Sequence, residues 1–481
     1  MSNQYLFVFA QAHEDFRIPE LQSVAELHGF EIAIPEDIDV TRPFAVLGLE
    51  KEEHARILAR RCILIKHVYE FYARGSSYVE LHEKNRALRD RWEKYVPDTS
   101  FKFFVAGFNQ SIPQRRQREV VEDFSYMDFQ GKIDMKNPEI VMGCFEEYHD
   151  AKGTTREKHD GDGNFREVFF GRLIEDGSAR SLVKKFDVKK RAYFGNTSME
   201  AEISLLMANQ TLASPGKLIY DPFVGTGSMA YTTAHFGALF YGSDIDGRQM
   251  RGKEQQPGIR RAAAQYGVEK RVIDLCTFDV THNPWRCGGL FDAIITDPPY
   301  GVRAGAKRLG RKKDWVPRTP HPVPTGPRPD DEQPYIPPMR PYELSALATD
   351  LVLLGRYLLR PGGRLVFFLP TITDEYQEVD IHTMLCEGME LVANSLQDFG
   401  AWGRRLVTIR KTGTENYPPP KFDSDSRTAS SEGVKATHVP AHRDFRERYF
   451  QRFRSPAELA EEAAVAAVSE MRLETSKPSK Y

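Results

Sequence analysis

Apolar residues fall in two alternating rhythms along this chain: short unbroken runs, and stretches in which they recur every third or fourth position. In the first part, residues 5–10 (YLFVFA), 44–49 (FAVLGL) and 62–72 (CILIKHVYEFY) read as strands, and residues 18–30 and 52–61 as helices. This α+β alternation predicts a small ferredoxin-like unit over residues 1–95. A second unit follows over 96–185, with a strand from Phe101, a basic helix over 113–127, and runs 139–148 and 165–174 flanking the polar stretch 150–164, an expected hairpin tip.

From residue 186 the pattern changes to buried strands alternating with helices, the mark of a doubly wound parallel sheet. A helix is predicted over 198–212, with Ser198 as N-cap and Met199, Ile203, Leu206 and Met207 as its buried face. Strands follow at 218–220, 236–244, 272–278 and 291–295. A basic, proline-rich insertion over 302–340 interrupts the pattern and can form neither helix nor central strand. Helix 342–358, strand 360–370, a helix candidate at 380–389 and a hairpin over 391–412 complete an α/β domain ending at residue 412. Residues 413–481 form a polar tail with helix candidates at 442–453 and 456–473.

Two loops at strand ends carry the chemistry. DPFVGTGS runs from Asp221 to Ser228, and TDPPYG from Thr296 to Gly301. In open α/β sheets ligands bind beyond the carboxyl ends of the strands, so both loops are expected at one cleft. Gly225 and Gly227 allow a tight turn and close backbone approach, Phe223 lies between Asp221 and the glycines, and Ala230 fills the small third position of the glycine pattern. Asp244 ends the next strand, where a carboxylate accepts two ribose hydroxyls. The glycine pattern alone suits a dinucleotide or S-adenosylmethionine, and Asp221 separates them. Its charge would repel a pyrophosphate at the helix N-terminus but suits an α-ammonium group. Asp279, after a third strand, is placed to accept from an adenine amino group.

The second loop points to the reaction. An exocyclic amino nitrogen is a poor nucleophile because its lone pair is delocalised into the base. The Asp297 carboxylate and the Pro298 carbonyl offer two acceptors for its hydrogens, Pro298 and Pro299 stiffen the loop, and Tyr300 offers a ring on which an extruded base can stack. No metal is required.

DPFVGTGS, GSDID and TDPPYGVR, with FGNTSMEAEISLLMANQ (Phe194 to Gln210) upstream, resemble the eukaryotic THUMP-containing tRNA guanine 2-amino methyltransferases that modify the guanosine at position 10. The resemblance covers most of the chain to about Lys411. It implies a Rossmann-like methyltransferase domain over 186–412, a THUMP-like RNA-binding domain over 96–185, and Lys132–Ile140 as part of that domain. It further implies S-adenosylmethionine as cofactor, tRNA as partner, Thr197 and Ser198 as cofactor contacts, and a small zinc-binding activator subunit. The methyl-transfer motif is also compatible with DNA adenine or protein glutamine as acceptor. An alternative of another class is a catalytically silent RNA-binding subunit, against which the intact acids of both loops count.

A net charge of −2 gives the whole chain no basic field, so RNA must be held by local patches. Arg115 and Arg116, with Arg118 nearby, form one candidate patch, and Arg303, Lys307, Arg308, Arg311, Lys312 and Lys313 in the insertion form another. Five scattered cysteines without a C-x-x-C pair predict reduced thiols and no zinc site. The N-terminal sequence lacks a basic, cleavable leader, and no long apolar run occurs, so a cytoplasmic protein is expected.

Overall fold

The computed structural model describes residues 3–149, 165–252, 258–301, 305–310, 338–422 and 439–452. The chain divides into two compact units, Met1–Asp187 and Val188–Tyr481. In the first, β1 (Asn3–Phe9), β2 (Phe44–Leu49), β3 (Ile65–Gly75), β4 (Phe101–Phe108), β5 (Ile140–Tyr148) and β6 (Phe165–Asp176) form one six-stranded sheet, in the order β2-β1-β3-β6-β5-β4. All neighbours are antiparallel except β4 and β5. Period-two alternation splits β1 between two cores. Tyr5, Phe7 and Phe9 pack with Leu21 and Leu58 of the helices Arg17–His28 and Glu52–Arg61, while Leu6 and Val8 pack with Phe145 and Phe169.

The boundary expected near residue 95 does not separate two sheets. Residues 1–95 supply three strands, not the four of a ferredoxin-like unit, and β3 pairs with β6 from His67↔Asp176 to Gly75↔Val168. The apolar runs locate these strands correctly, but register between distant strands is invisible in the runs themselves.

In the second unit β7 (Leu218–Asp221), β8 (Leu239–Asp244), β9 (Val272–Thr277) and β10 (Phe291–Thr296) precede a short ribbon of β11 (Lys307–Leu309) and β12 (Met339–Pro341). Then come β13 (Leu359–Ile372), β14 (Met389–Asp398) and β15 (Trp402–Lys411). The main sheet has the order β14-β15-β13-β10-β7-β8-β9. β13, β10, β7, β8 and β9 are parallel, and β15 is antiparallel to both β13 and β14. Strand order reverses between β7 and β10, so the loops after those two strands open on the crevice at the switch point. One face carries the helix Leu344–Leu358, whose Leu351, Val352 and Leu358 join Tyr220, Ile294 and Phe367 in a buried core.

The helix expected from Ser198 begins at Ala201 and ends at Gln210, with Glu200 at the N-cap position. The candidate at 380–389 is helical only over Val379–His382. Within the tail, Phe445–Arg452 is a helix. Among the described residues no helix is long and apolar enough to cross a membrane.

Candidate active site

The crevice is built by four loops that tie to one another through acids. Asp221 ends β7 and is buried; its Oδ1 accepts from the Phe223 amide at 2.9 Å and from the Thr296 hydroxyl at 2.7 Å. Thr296 immediately precedes Asp297, so this bond fastens the glycine loop to the DPPY loop. Burial, then the charges of Asp244 and Asp297, push the Asp221 carboxyl up to about 8. The Phe223 amide and the Thr296 hydroxyl oppose that shift.

The glycine loop adopts the conformation its composition allows. Gly225 and Gly227 have φ of 50° and 82°, a region costly for other residues. A Cβ on Gly225 would meet nothing closer than 3.9 Å, so its face is open, whereas one on Gly227 would press on Ile259 and the Tyr231 hydroxyl at 3.0 Å. Asp244, at the end of β8, holds the loop: its Oδ2 accepts from the Gly225 amide at 3.0 Å and its Oδ1 from the Asp246 amide at 2.8 Å. Burial raises its pKa, against those amide bonds.

Ser198 does not cap the helix. Its hydroxyl accepts from the Gly195 amide at 3.0 Å and lies 2.7 Å from the Thr226 hydroxyl. A tertiary contact with the glycine loop thus wins over capping. The Ser228 hydroxyl accepts from the Met199 amide at 3.0 Å and from Arg191 Nη1 at 2.8 Å. The segment before the helix is therefore strapped across the glycine loop, with Thr197 exposed on it.

Asp279 is buried just beyond β9, with Oδ1 accepting from the Thr281 amide at 2.8 Å and Oδ2 from the Leu309 amide at 2.6 Å. The root of the insertion is thus fixed to the crevice. Next to Asp279 lies a hollow lined by Phe223, Val280, Tyr342, Leu347, Leu351 and Phe422, with Asp350 at its side. Asp350 Oδ2 accepts from the Tyr342 hydroxyl at 2.6 Å.

In the DPPY loop Pro298 is buried, while Asp297, Pro299 and Tyr300 are partly so. Asp297 Oδ2 stands 3.7 Å from Arg404 Nη1 at the start of β15. Tyr300 meets Phe445 of the C-terminal helix edge to face, with ring centroids 6.3 Å apart, and Phe445 also packs on Leu344, Ile372 and Trp402. Arg404 and Phe445 escaped the sequence reading. β15 runs antiparallel, which brings its first residues to the carboxyl edge of β13, but no local pattern names the loop they face.

The basic candidates separate. Arg115 and Lys307 are exposed. Arg116 is mostly covered, 5.3 Å from the Tyr78 ring centroid and 3.9 Å from buried Glu146. Arg308 is 7% exposed and lies 5.3 Å from the Tyr342 ring centroid. Aromatic packing and burial thus set the guanidinium groups of Arg116 and Arg308 apart from those of the exposed candidates. Arg303, Arg311, Lys312 and Lys313 lie outside the described residues.

Comparison with known proteins gives this geometry a family. Residues 3–180 match the Tmrp11 THUMP N-terminal domain, and residues 189–312 the RMKL-like methyltransferase domain. The chain is 36% identical to the tRNA (guanine(10)-N(2))-methyltransferase of Schizosaccharomyces pombe, over 93% of this chain and 96% of that one. It is 35% identical to that of Saccharomyces cerevisiae over 94% and 99%, and 34% identical to TRMT11 of Homo sapiens over 93% and 95%. The chain belongs to the tRNA (guanine(10)-N(2))-methyltransferase family. As a member of that family it is a methyltransferase with S-adenosylmethionine as cofactor. The crevice offers chemistry that suits that molecule: an open glycine face and carboxylates held by amides with acceptor positions to spare.

Proposed function

We propose that this chain transfers a methyl group to the exocyclic 2-amino group of a guanosine, that at position 10, in tRNA. The hydroxyl bond from Thr296 to Asp221 carries the reading, since it joins the loop suited to the cofactor to the loop suited to an amino group. S-adenosylmethionine supplies an electrophilic sulfonium methyl. Asp221 Oδ2, which takes neither of the bonds to Oδ1, meets the ammonium end. Asp244 accepts from the ribose hydroxyls. Asp279 accepts from the adenine amino group, a carboxylate having room for donors beyond the two amides it already holds. Phe223 offers an apolar surface beside the glycine loop, and Thr197 and Ser198 close the strap over that loop.

Asp297 and the Pro298 carbonyl accept the two hydrogens of the guanine amino group and fix the direction of the nitrogen lone pair. Pro299 stiffens the loop, and Tyr300, backed by Phe445, supports the base. As positive charge grows on nitrogen the Asp297 carboxylate stabilises it without reorganising. The N-terminal unit binds tRNA by shape and phosphate contacts, with Arg115 as an exposed contact, and Lys307 of the insertion adds an exposed cation from the second unit. The chain works in the cytoplasm with a small zinc-binding activator subunit.

Methyl-acceptor profiling of total RNA with purified protein, alone and with the activator, tests the proposal. The expected product is a 2-amino-methylated guanosine at position 10 of tRNA. Methylation of DNA adenine or of protein glutamine, with tRNA left unmodified, would replace this reading.

A further inference from the structure

Arg404 is 9% exposed, and a guanidinium taken this far out of water needs partners for both its charge and its donors. Three chain segments besides β15 supply them. On β14, Gln397 Oε1 accepts from Nε at 2.7 Å. Before the helix Ala201–Gln210, Glu200 Oε1 lies 3.6 Å from Nη2 and itself accepts from Gln397 Nε2 at 2.9 Å. On β13, the Phe368 ring centroid is 4.3 Å from the guanidinium carbon. A planar cation stacked on a ring and clamped at one edge has little freedom. Its Nη1 is aimed at Asp297 Oδ2, 3.7 Å away.

Asp297 needs such a neighbour. Asp221 shares its surroundings closely enough that the charge of Asp297 helps raise the Asp221 carboxyl, so once the cofactor's ammonium group draws Asp221 into its ionised form two like charges stand in one poorly solvated crevice. A protonated Asp297 would present a donor where the amino group requires an acceptor. We propose that Arg404 is a positioning residue for methyl transfer, holding the Asp297 carboxylate ionised and in one orientation, with Glu200 moderating the cation from behind. The inference rests on the reading of Asp297 as the acceptor for the guanine amino group. Among the described residues, charged and titratable groups near Asp297 include Arg404 from β15 and Asp221 from β7, with Glu200 behind Arg404 and Tyr300 in its own loop.

The test is the pH dependence of single-turnover methyl transfer at saturating S-adenosylmethionine and tRNA. R404Q should raise the midpoint of the acid limb by about one to three units, and R404K should return it most of the way. E200Q, at a half-exposed side chain, should move it in the opposite direction by a smaller amount. Opposite shifts are not produced by loss of packing. In the free protein, unfolding midpoints for R404Q, D297N and the double variant should show coupling at pH 7 that disappears once Asp297 is protonated. A wild-type pH profile in folded R404Q, or shifts of the same sign in R404Q and E200Q, overturns the proposal. If D297N is slow while R404Q is unaltered, Arg404 alone is misassigned; if D297N methylates at the wild-type rate, the reading of Asp297 falls with it.

Discussion

Both units bury acidic side chains, and those of the N-terminal sheet are satisfied by different means from those that line the crevice of the second unit. On the N-terminal sheet Glu147, Glu167, Glu70 and Glu146 meet arginines and tyrosines, while Glu20, off the sheet, accepts from the Ile63 and Leu64 amides. Arg42 Nε lies 3.0 Å from both oxygens of Glu147, and its Nη2 is 2.7 Å from Glu167. Arg172 reaches across the ladder to Glu70 and on to Glu52, at 2.9 Å each. Glu146 accepts from the hydroxyls of Tyr78 and Tyr148. In the C-terminal unit Asp221, Asp244 and Asp279 are held by backbone amides and a threonine hydroxyl. A carboxylate locked into a guanidinium fork is neutralised within the fold. One held by amides and a hydroxyl is not neutralised by a fixed guanidinium and keeps spare acceptor positions for an incoming cation or hydroxyl. Burial of the first kind builds a scaffold, and burial of the second kind builds a receptor for cations and hydroxyls.

The sharpest break in this contrast is Asp297, the acid that meets both a cation and, by the proposal, the substrate. Asp297→Asn keeps the shape but replaces an anionic acceptor by a neutral amide. Single-turnover methylation should fall by about 10² to 10³ while cofactor and tRNA affinities hold, because the lost interaction is one that strengthens in the transition state. A wild-type rate would remove Asp297 from the chemistry.

Asp221 gives the next largest effect. In the free protein its carboxyl titrates at about 8, so at lower pH it is largely protonated. A cationic ammonium requires the ionised form. Binding S-adenosylmethionine below pH 8 must therefore release a proton, and affinity should fall about tenfold for each pH unit lost. The same raised pKa makes the unliganded fold lose stability as pH rises towards 8, which the cofactor restores. Calorimetry at pH 7 in two buffers of different ionisation enthalpy reads the proton directly. Equal heats in both would mean that Asp221 is not the ammonium partner.

How far the sequence led follows the same division. Glycines, prolines and acids at strand ends are local signals, so the two loops and the ends of β7, β8 and β10 were placed from composition and period alone. The capping preference of Ser198 is also a local signal, and it loses to a hydroxyl contact with Thr226 from a distant loop. Arg404 shares a strand face with Leu406 and Thr408, which marks it as inward but not what it meets. Phe445 lies in a stretch so polar that only the tertiary contact with Tyr300 gives it meaning. Phe445→Ala should accordingly loosen Tyr300 and raise the apparent tRNA constant about tenfold, as loss of a stacking support does, with cofactor affinity unchanged. An unchanged tRNA constant would confine the helix Phe445–Arg452 to a covering role.

The smallest expected effect separates two adjacent residues of the N-terminal unit. Arg115 has a 90% exposed side chain whose ion pair is with Glu119 one turn on, a contact worth little in water. Arg116 sits over Tyr78 and near Glu146. If exposed cations are what this unit offers to RNA, Arg115→Ser should weaken tRNA binding a few-fold. It should also reduce the slope of log affinity against log salt by less than about one, the value for a single phosphate contact. Arg116→Ser should leave that slope alone and instead lower thermal stability by about 1–3 kcal/mol, because buried Glu146 would lose a compensating charge. Binding titrations at several salt concentrations, paired with melting curves, read both quantities on the same samples. A salt slope altered by Arg116→Ser and untouched by Arg115→Ser would reverse the assignment. The division between scaffold charges and ligand-facing charges would then fail in the very unit where it is clearest.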